Sequence, residues 1–363
     1  MLNFELSEEQ TMLVDAINRF ATERVRKVYR DADETSSPPE DVVQIGWEIG
    51  VLPTTIPEQY GGFGEYSLVT GALAIEAFAH GDLSIAMNIL ASNAVAVPIM
   101  LAGTDAQQAH YLPLFCDTQR PNITVAITEP RIQYDPRNLG TTATADGDHY
   151  LLNGQKCMVT LADQADKLLV YAKENDKTQA FFVSSDTAGL ILGEREKLMG
   201  LRSLPTHRVT FDNCRIPTEN KLGGEAGIDI DTILTHSRIA QGAAAVGLAQ
   251  GAHEYAIEYA KNREQFGEPI AHRQSIAFML ADMAMDISST RLMVWEAAWL
   301  LDQGQSALQE TTVLKQYSDD MVLRVADQAL QTLGGHGYIR EYPVELWFRN
   351  ARSFVNLDGL LMV

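Results

Sequence analysis

Helical periodicity runs to about residue 120, stops, and returns near residue 224; this interruption constrains the fold more than any other feature of the chain. Between those points the signals are strands and tight turns. Thr141–Ala145 alternates, and Asp146-Gly147 predicts a hairpin turn into His149–Leu152. Asn153-Gly154 predicts a second turn, into Lys156–Thr160. Asp-Gly and Asn-Gly supply the left-handed backbone that two-residue hairpin loops require. Leu168–Ala172, Ala180–Ser184 and Arg208–Phe211 read as further strands, and the set predicts an antiparallel meander.

Helices are expected on either side. Ser7-Glu8-Glu9-Gln10 has the form of a capping box, and Met12, Leu13, Ala16, Ile17 and Phe20 follow at helical spacing. A second helix is predicted from Pro39 to Gly50, then an extended stretch held by Pro53 and Pro57. Leu68–His80 and Leu83–Ala102 are long, apolar and alanine-rich, and read as buried helices. Beyond the strands, Leu248, Ala252, Tyr255 and Tyr259 share one helical face. Val322, Ala326, Ala329, Leu330 and Leu333 share another, closed by Gly334-Gly335. The small residues from Gly242 to Gly251 predict close helix–helix approach. The expected fold class is mainly α with a middle β-domain: a helical domain over 1–121, a β-domain over 122–222 and a helical bundle over 223–363.

The 363 residues are 46% apolar and 21% charged, which is ordinary globular composition. With 28 basic and 48 acidic residues the formal net charge is -20. That argues against a general nucleic-acid binder and against a polybasic membrane anchor. Cys116, Cys157 and Cys214 form no CxxC pair and read as small buried hydrophobes. The start, Met1-Leu2-Asn3-Phe4-Glu5, carries no basic or apolar leader, and no stretch has the length and apolarity of a membrane span. The expected location is the cytoplasm. Metalloprotease, nucleophile-elbow and P-loop motifs are absent. No histidine stands at metal-ligand spacing with another ligand, and His336 reads as a turn or interface residue.

Several strings stand in order along the chain. They are Pro57-Glu58-Gln59-Tyr60-Gly61-Gly62, Ile127-Thr128-Glu129-Pro130, Asn153-Gly154-Gln155-Lys156 and Arg263-Glu264-Gln265-Phe266-Gly267. Near the end come Gln331-Thr332-Leu333-Gly334-Gly335-His336-Gly337-Tyr338 and Glu341-Tyr342-Pro343-Val344-Glu345. Together they resemble the acyl-CoA dehydrogenase family, from about Phe4 to Gly359.

The resemblance implies an N-terminal helical domain, a middle β-domain and a C-terminal four-helix bundle. It implies FAD held with help from a neighbouring subunit, hence a homo-dimer or homo-tetramer. The implied reaction dehydrogenates an acyl-CoA at Cα–Cβ. A carboxylate takes the α-proton and the β-hydrogen leaves as hydride to flavin N5. An electron-transfer flavoprotein is the implied acceptor. On the flavin side, Val125, Ile127 and Thr128 match the strand that touches the isoalloxazine ring, and Thr160 matches a threonine near N5. Met158 stands where an aromatic residue often packs on the flavin. Arg263, Gln265 and Phe266 match residues that hold the FAD of the adjacent subunit; an arginine can clamp a pyrophosphate. Gln274, Gln331, Gly334 and Gly335 match adenosine-side contacts.

The substrate side departs from the family. The usual base is a glutamate, and Leu357-Asp358-Gly359-Leu360 puts Asp358 there, one methylene shorter. A subset of the family places its glutamate one residue before a helix arginine. Here that arginine is Arg238, preceded by Ser237, so Asp358 is the only carboxylate at either position. The small loop after the Thr-Glu-Pro string has become Arg131-Ile132-Gln133-Tyr134-Asp135, with Tyr134 at a serine position. Tyr134 and Arg238 are the substrate-side candidates. The family continues for about one more helix after the point where this sequence stops. The departures leave two alternatives open. One is a flavoprotein acting on a carrier-protein thioester or another carbon acid. The other is a non-catalytic subunit of a hetero-oligomeric dehydrogenase.

Overall fold

The computed structural model describes residues 5–64 and 67–363. Met1–Phe4, where the reading of the N-terminus and the resemblance begin, and Glu65–Tyr66 lie outside the described residues. Among the described residues eight α-helices precede the strands: α1 (Glu8–Phe20), α2 (Arg26–Thr35), α3 (Glu40–Glu48), α4 (Val51–Thr55), α5 (Leu68–Gly81), α6 (Leu83–Ile89), α7 (Asn93–Ala102) and α8 (Asp105–Tyr111). The capping box is present, with Ser7 and Gln10 each accepting from the other's backbone amide. A π-helical turn, Ala21–Val25, joins α1 to α2, which the sequence reading did not anticipate. Pro53 lies inside α4 rather than in an extended stretch. It sits in the first turn, where its missing N–H has no partner to lose. The predicted helix over 83–102 is two helices, bent by 47°. At the break Arg120 donates to the Asn88 carbonyl at 2.5 Å and to the Asn88 side chain at 2.9 Å. Among the described residues no single helix is long and apolar enough to cross a membrane.

The middle of the chain is a seven-stranded sheet, in the order β1-β4-β2-β3-β7-β6, with β5 also on β4. The strands are β1 (Ile123–Ala126), β2 (Thr142–Asp146), β3 (His149–Thr160), β4 (Lys167–Glu174), β5 (Lys177–Ser184), β6 (Leu190–Arg195) and β7 (Thr206–Pro217). The Asp146-Gly147 hairpin forms, with Asp146 opposite His149. The sheet is not an antiparallel meander, because β1 runs parallel to β4. Asn153-Gly154 is no turn either. It lies inside β3, at a register shift against β7 between Leu152 and Gly154. A β-carbon on Gly154 would stand 2.6 Å from Thr141 Oγ1, so glycine is there for close strand approach. A second shift, between Lys156 and Val159, bulges β3 toward the chain after β1 before its pairing with β7 resumes at Val159 opposite His207. There the Cys157 amide donates to the Thr128 carbonyl at 2.9 Å.

Three long helices follow: α9 (Ile230–Asn262), α10 (Gln274–Asp302) and α11 (Leu308–Leu333), then the short α12 (Val344–Ala351). The close approach read from the glycines of α9 is realised. A β-carbon on Gly247 would lie 2.1 Å from the Glu76 carbonyl of α5, and one on Gly242 would meet Val294 and Leu314 of α10 and α11. A fully buried α9 turn therefore lies between the N-terminal helices and the bundle. Two anchors, one ionic and one a neutral hydrogen bond, fix the segment ahead of Asp358. Arg349 of α12 donates to both oxygens of Asp33 on α2, at 3.0 and 2.8 Å. Asn350 accepts from the Leu201 amide at 2.8 Å.

Candidate active site

The chain after β1 begins the site. Glu129 is buried and accepts from the amides of Gly140 (2.6 Å) and Thr141 (2.7 Å). Lys156 of β3, fully buried, donates to Glu129 at 2.9 Å and to the Ile127 carbonyl at 2.9 Å. Burial works to raise the Glu129 pKa, but Lys156 and the two amides outweigh it and hold the carboxyl at about 2. Burial likewise pushes the Lys156 ammonium down, against the pull of Glu129. This ion pair fixes the backbone of Ile127–Thr128 against the bulged part of β3. In that bulge Met158 has φ of 52°, which re-aims its side chain, and its amide donates to Glu196 at 2.8 Å. Val125, Ile127, Thr128 and Thr160 are all buried alongside. Thr124 Oγ1 donates to the Thr160 carbonyl at 2.5 Å, so Thr160 and Thr128 both lie where the chain of β1 and beyond meets the end of β3.

Asp358 lies on the other side of the same place. A β-carbon on Gly359 would stand 2.8 Å from Ile127 Cδ1, so the Asp358-Gly359 turn packs directly on the chain after β1. Gln241 of α9 donates to Asp358 Oδ1 at 3.0 Å, and Arg238 Nη2 lies 3.7 Å from Oδ2. Ser237 Oγ accepts from the Gly359 amide at 2.8 Å. Positions 237 and 358, the two places where the resemblance allows a base, are therefore in one cluster. Tyr134 completes it. Burial, and next the Asp358 carboxylate, push its phenol well above the ordinary range. Its hydroxyl faces Thr128, yet neither hydroxyl closes a hydrogen bond. Arg238 Nε and Gln241 Oε1 are also buried without partners. The Tyr134 and Thr128 hydroxyls have only each other, and Arg238 Nε and Gln241 Oε1 beside Asp358 have no partner, so the cluster is a place that a bound group would complete. A separate cavity of about 730 Å³ opens beside Met158, where Glu196, Met199, Arg202, Arg340 and Arg349 line it, without Asp358 or Tyr134 in its wall.

The remaining carried-over residues are elsewhere. Arg263 caps the far end of α9, so the helix rise separates it from Arg238 by roughly 37 Å. Gln265 and Phe266 lie in a tight two-strand turn after it, with Phe266 almost fully exposed (94%) and stacked under Arg273. Gln274 opens α10 at the same end. Gln331, Gly334 and Gly335 join them, because the Tyr259 hydroxyl of α9 meets His336 Nδ1 at 2.7 Å. His336 lies in the short helical turn Gly334–Tyr338 and stacks on Tyr342 of the same chain. One chain thus carries two separate groups of candidate residues. The sequence reading missed Glu129 as a site residue, although it stood inside the Thr-Glu-Pro string, and it missed Gln241.

All three domains of one family match in this order. The acyl-CoA dehydrogenase N-terminal domain matches residues 7–119, the middle domain 124–214 and the C-terminal domain 227–360. The chain belongs to the acyl-CoA dehydrogenase family. The cyclohex-1-ene-1-carbonyl-CoA dehydrogenase of Syntrophus aciditrophicus is 35% identical over 356 residues, covering 96% of this chain and 86% of that one. Butyryl-CoA dehydrogenase from Megasphaera elsdenii superimposes with a TM-score of 0.90 at 30% identity, over 99% of this chain and 96% of that one. The FAD complex of PigA gives 0.90 at 26% identity, over 99% and 96%. Acyl-CoA dehydrogenase membership makes this chain a flavoprotein of the oxidoreductase class, with FAD as its cofactor. The orphaned Thr128 and Tyr134 hydroxyls and the exposed Arg263 end of the bundle fit such a group.

Proposed function

We propose that this acyl-CoA dehydrogenase oxidises an acyl thioester at Cα–Cβ, with Asp358 as the base. The observation that carries the reading is the partly buried Asp358 carboxylate (17% exposed), gripped by Gln241 and Arg238 beside the unpartnered hydroxyls of Tyr134 and Thr128. Asp358 takes the α-proton as the β-hydrogen leaves with its electron pair. Bound FAD supplies the hydride acceptor. Val125, Ile127, Thr128, Met158 and Thr160 seat the ring end of the cofactor. Tyr134 and Arg238 contact the thioester part of the substrate. An electron-transfer flavoprotein then takes up the electrons. Three free cysteines suit a reducing compartment, in keeping with the cytoplasm.

Arg263, Gln265, Phe266, Gln274, Gln331, Gly334 and Gly335 serve the cofactor of a second copy of the chain. Their distance of roughly 37 Å along α9 from Arg238 supports this. So does an exposed stripe on α10: Phe278, Met285 and Leu292, seven residues apart, are 60%, 60% and 47% exposed. The chain therefore works as a homo-dimer or a homo-tetramer. The test of the reading is anaerobic mixing of the FAD-loaded protein with a panel of saturated straight and branched acyl-CoAs. Bleaching of the flavin by at least one member is expected. A yellow protein that none of them bleaches overturns it.

A further inference from the structure

We propose that Gln241 is a positioning residue for this reaction, whose amide nitrogen holds the Asp358 carboxylate in the orientation from which it accepts the α-proton. The proposal rests on the reading of Asp358 as base.

The turn of α9 from Ser237 to Gln241 grips the Asp358-Gly359 turn at three points. Gln241 Nε2 donates to Asp358 Oδ1 at 3.0 Å. Arg238 Nη2 faces the other carboxylate oxygen at 3.7 Å. Ser237 Oγ accepts from the Gly359 amide at 2.8 Å and from Gln241 Nε2 at 3.0 Å. A carboxylate oxygen can only accept from Gln241. The nitrogen side of the Gln241 amide must therefore face Asp358, which fixes the assignment of its two ends. Its Oε1 is then left buried without a partner.

Folding alone does not favour this residue. Gln241 is fully buried, and an unpartnered buried carbonyl oxygen destabilises the native state. Methionine or leucine would fill the same space without that loss. What glutamine adds is a donor aimed at the carboxylate from a helix interior that cannot shift. An aspartate is free to rotate about two side-chain bonds, and a base displaced by about 1 Å loses on the order of 10²-fold in rate. One donated hydrogen bond, from Gln241 to Oδ1, and the Arg238 charge facing Oδ2 restrict that freedom. Ser237 acts on the same target by holding the following amide.

The test reads proton abstraction directly. FAD-loaded protein is incubated anaerobically in D2O with excess butyryl-CoA and with the other saturated acyl-CoAs, and α-deuterium uptake is measured by mass spectrometry. Gln241→Met and Gln241→Leu both keep roughly the volume while removing the N–H donor. Both are expected to slow exchange about 10–100-fold, with flavin content and thioester Kd within about twofold of wild type and a thermal midpoint no lower. In an Asp358→Asn background, adding Gln241→Met is expected to change the residual rate by less than about twofold, because the base it positions is already gone. Exchange at the wild-type rate in both single variants overturns the proposal. So does an equal loss in the Asp358→Asn background, which would mark Gln241 as structural only. Wild-type exchange in Asp358→Asn alone is a different failure: it removes the base reading, and the positioning role with it. A wild type that exchanges no member of the panel removes the thioester reading first.

Discussion

Tyr134 and Asp358 illustrate what can be read from single residues. Tyr134 stood out because it replaces a small residue in an otherwise matching string, and the structure puts it beside Asp358 with its hydroxyl buried and unpartnered. A buried hydroxyl without a partner adds nothing to folding. Tyr134→Phe is therefore expected to leave the thermal midpoint unchanged or slightly higher. If the hydroxyl serves the substrate, KM rises roughly tenfold while the reduction rate at saturation changes little, the signature of lost uniform binding. Steady-state kinetics beside a melting curve check both halves, and a lowered midpoint with unchanged KM contradicts the assignment. Asp358 was legible only by its alignment with a family position. Its neighbours were not legible at all: Gln241 and Ser237 lie 117 and 122 residues from their partners in sequence, and no local spacing encodes such contacts.

Among the elements, helices were read better than strands, for a physical reason. The capping box and the glycines of α9 are local signals with local consequences. Strand pairing is not local. Asn153-Gly154 is a strong turn signal taken in isolation, yet the pairing of β3 with β7 across the whole of His149–Thr160 overrides it and turns it into a bulge. The parallel pairing of β1 with β4 likewise depends on residues more than forty positions apart, Ile123 opposite Lys167. What holds the chain after β1 against β3 is the Glu129–Lys156 pair, buried at 2% and 0% exposure. Glu129→Gln is expected to destabilise by about 3–5 kcal/mol, because it strands a buried ammonium. Restoring neutrality with Lys156→Met in the same chain should recover much of the loss. The pH sign follows from a Glu129 pKa held at about 2, below its ordinary 4.5. Its contribution is complete above 4.5 and is lost as pH falls toward 2. Denaturant midpoints of wild type and Glu129→Gln should therefore converge on acidification. A constant gap across that range contradicts the ion-pair account.

For the whole molecule, the helical–β–helical order follows from composition and periodicity, while the proposed division of labour between chains does not. Arg263 and Phe266 sit at one end of a 33-residue helix and Arg238 at the other. A monomer would leave the two groups of candidate residues in unconnected places. Sedimentation at micromolar concentration is expected to give at least twice the 40.0 kDa of one chain. Phe278→Asp with Met285→Asp, both on the exposed α10 stripe, should shift the protein toward monomer and loosen FAD together. A stable monomer that retains FAD contradicts the shared-site account.

The central claim is that Asp358 takes the α-proton of an acyl thioester, and stopped-flow reduction of the flavin under anaerobic conditions tests it most directly. The substrate is an acyl-CoA first seen to bleach wild type. Asp358→Asn keeps the shape and the Gln241 contact site but removes the proton acceptor. Flavin binding should persist while the reduction rate falls about 10²–10⁴-fold. Asp358→Glu, which restores the longer side chain, should stay within roughly tenfold of wild type. An Asp358→Asn protein that bleaches as fast as wild type contradicts the account.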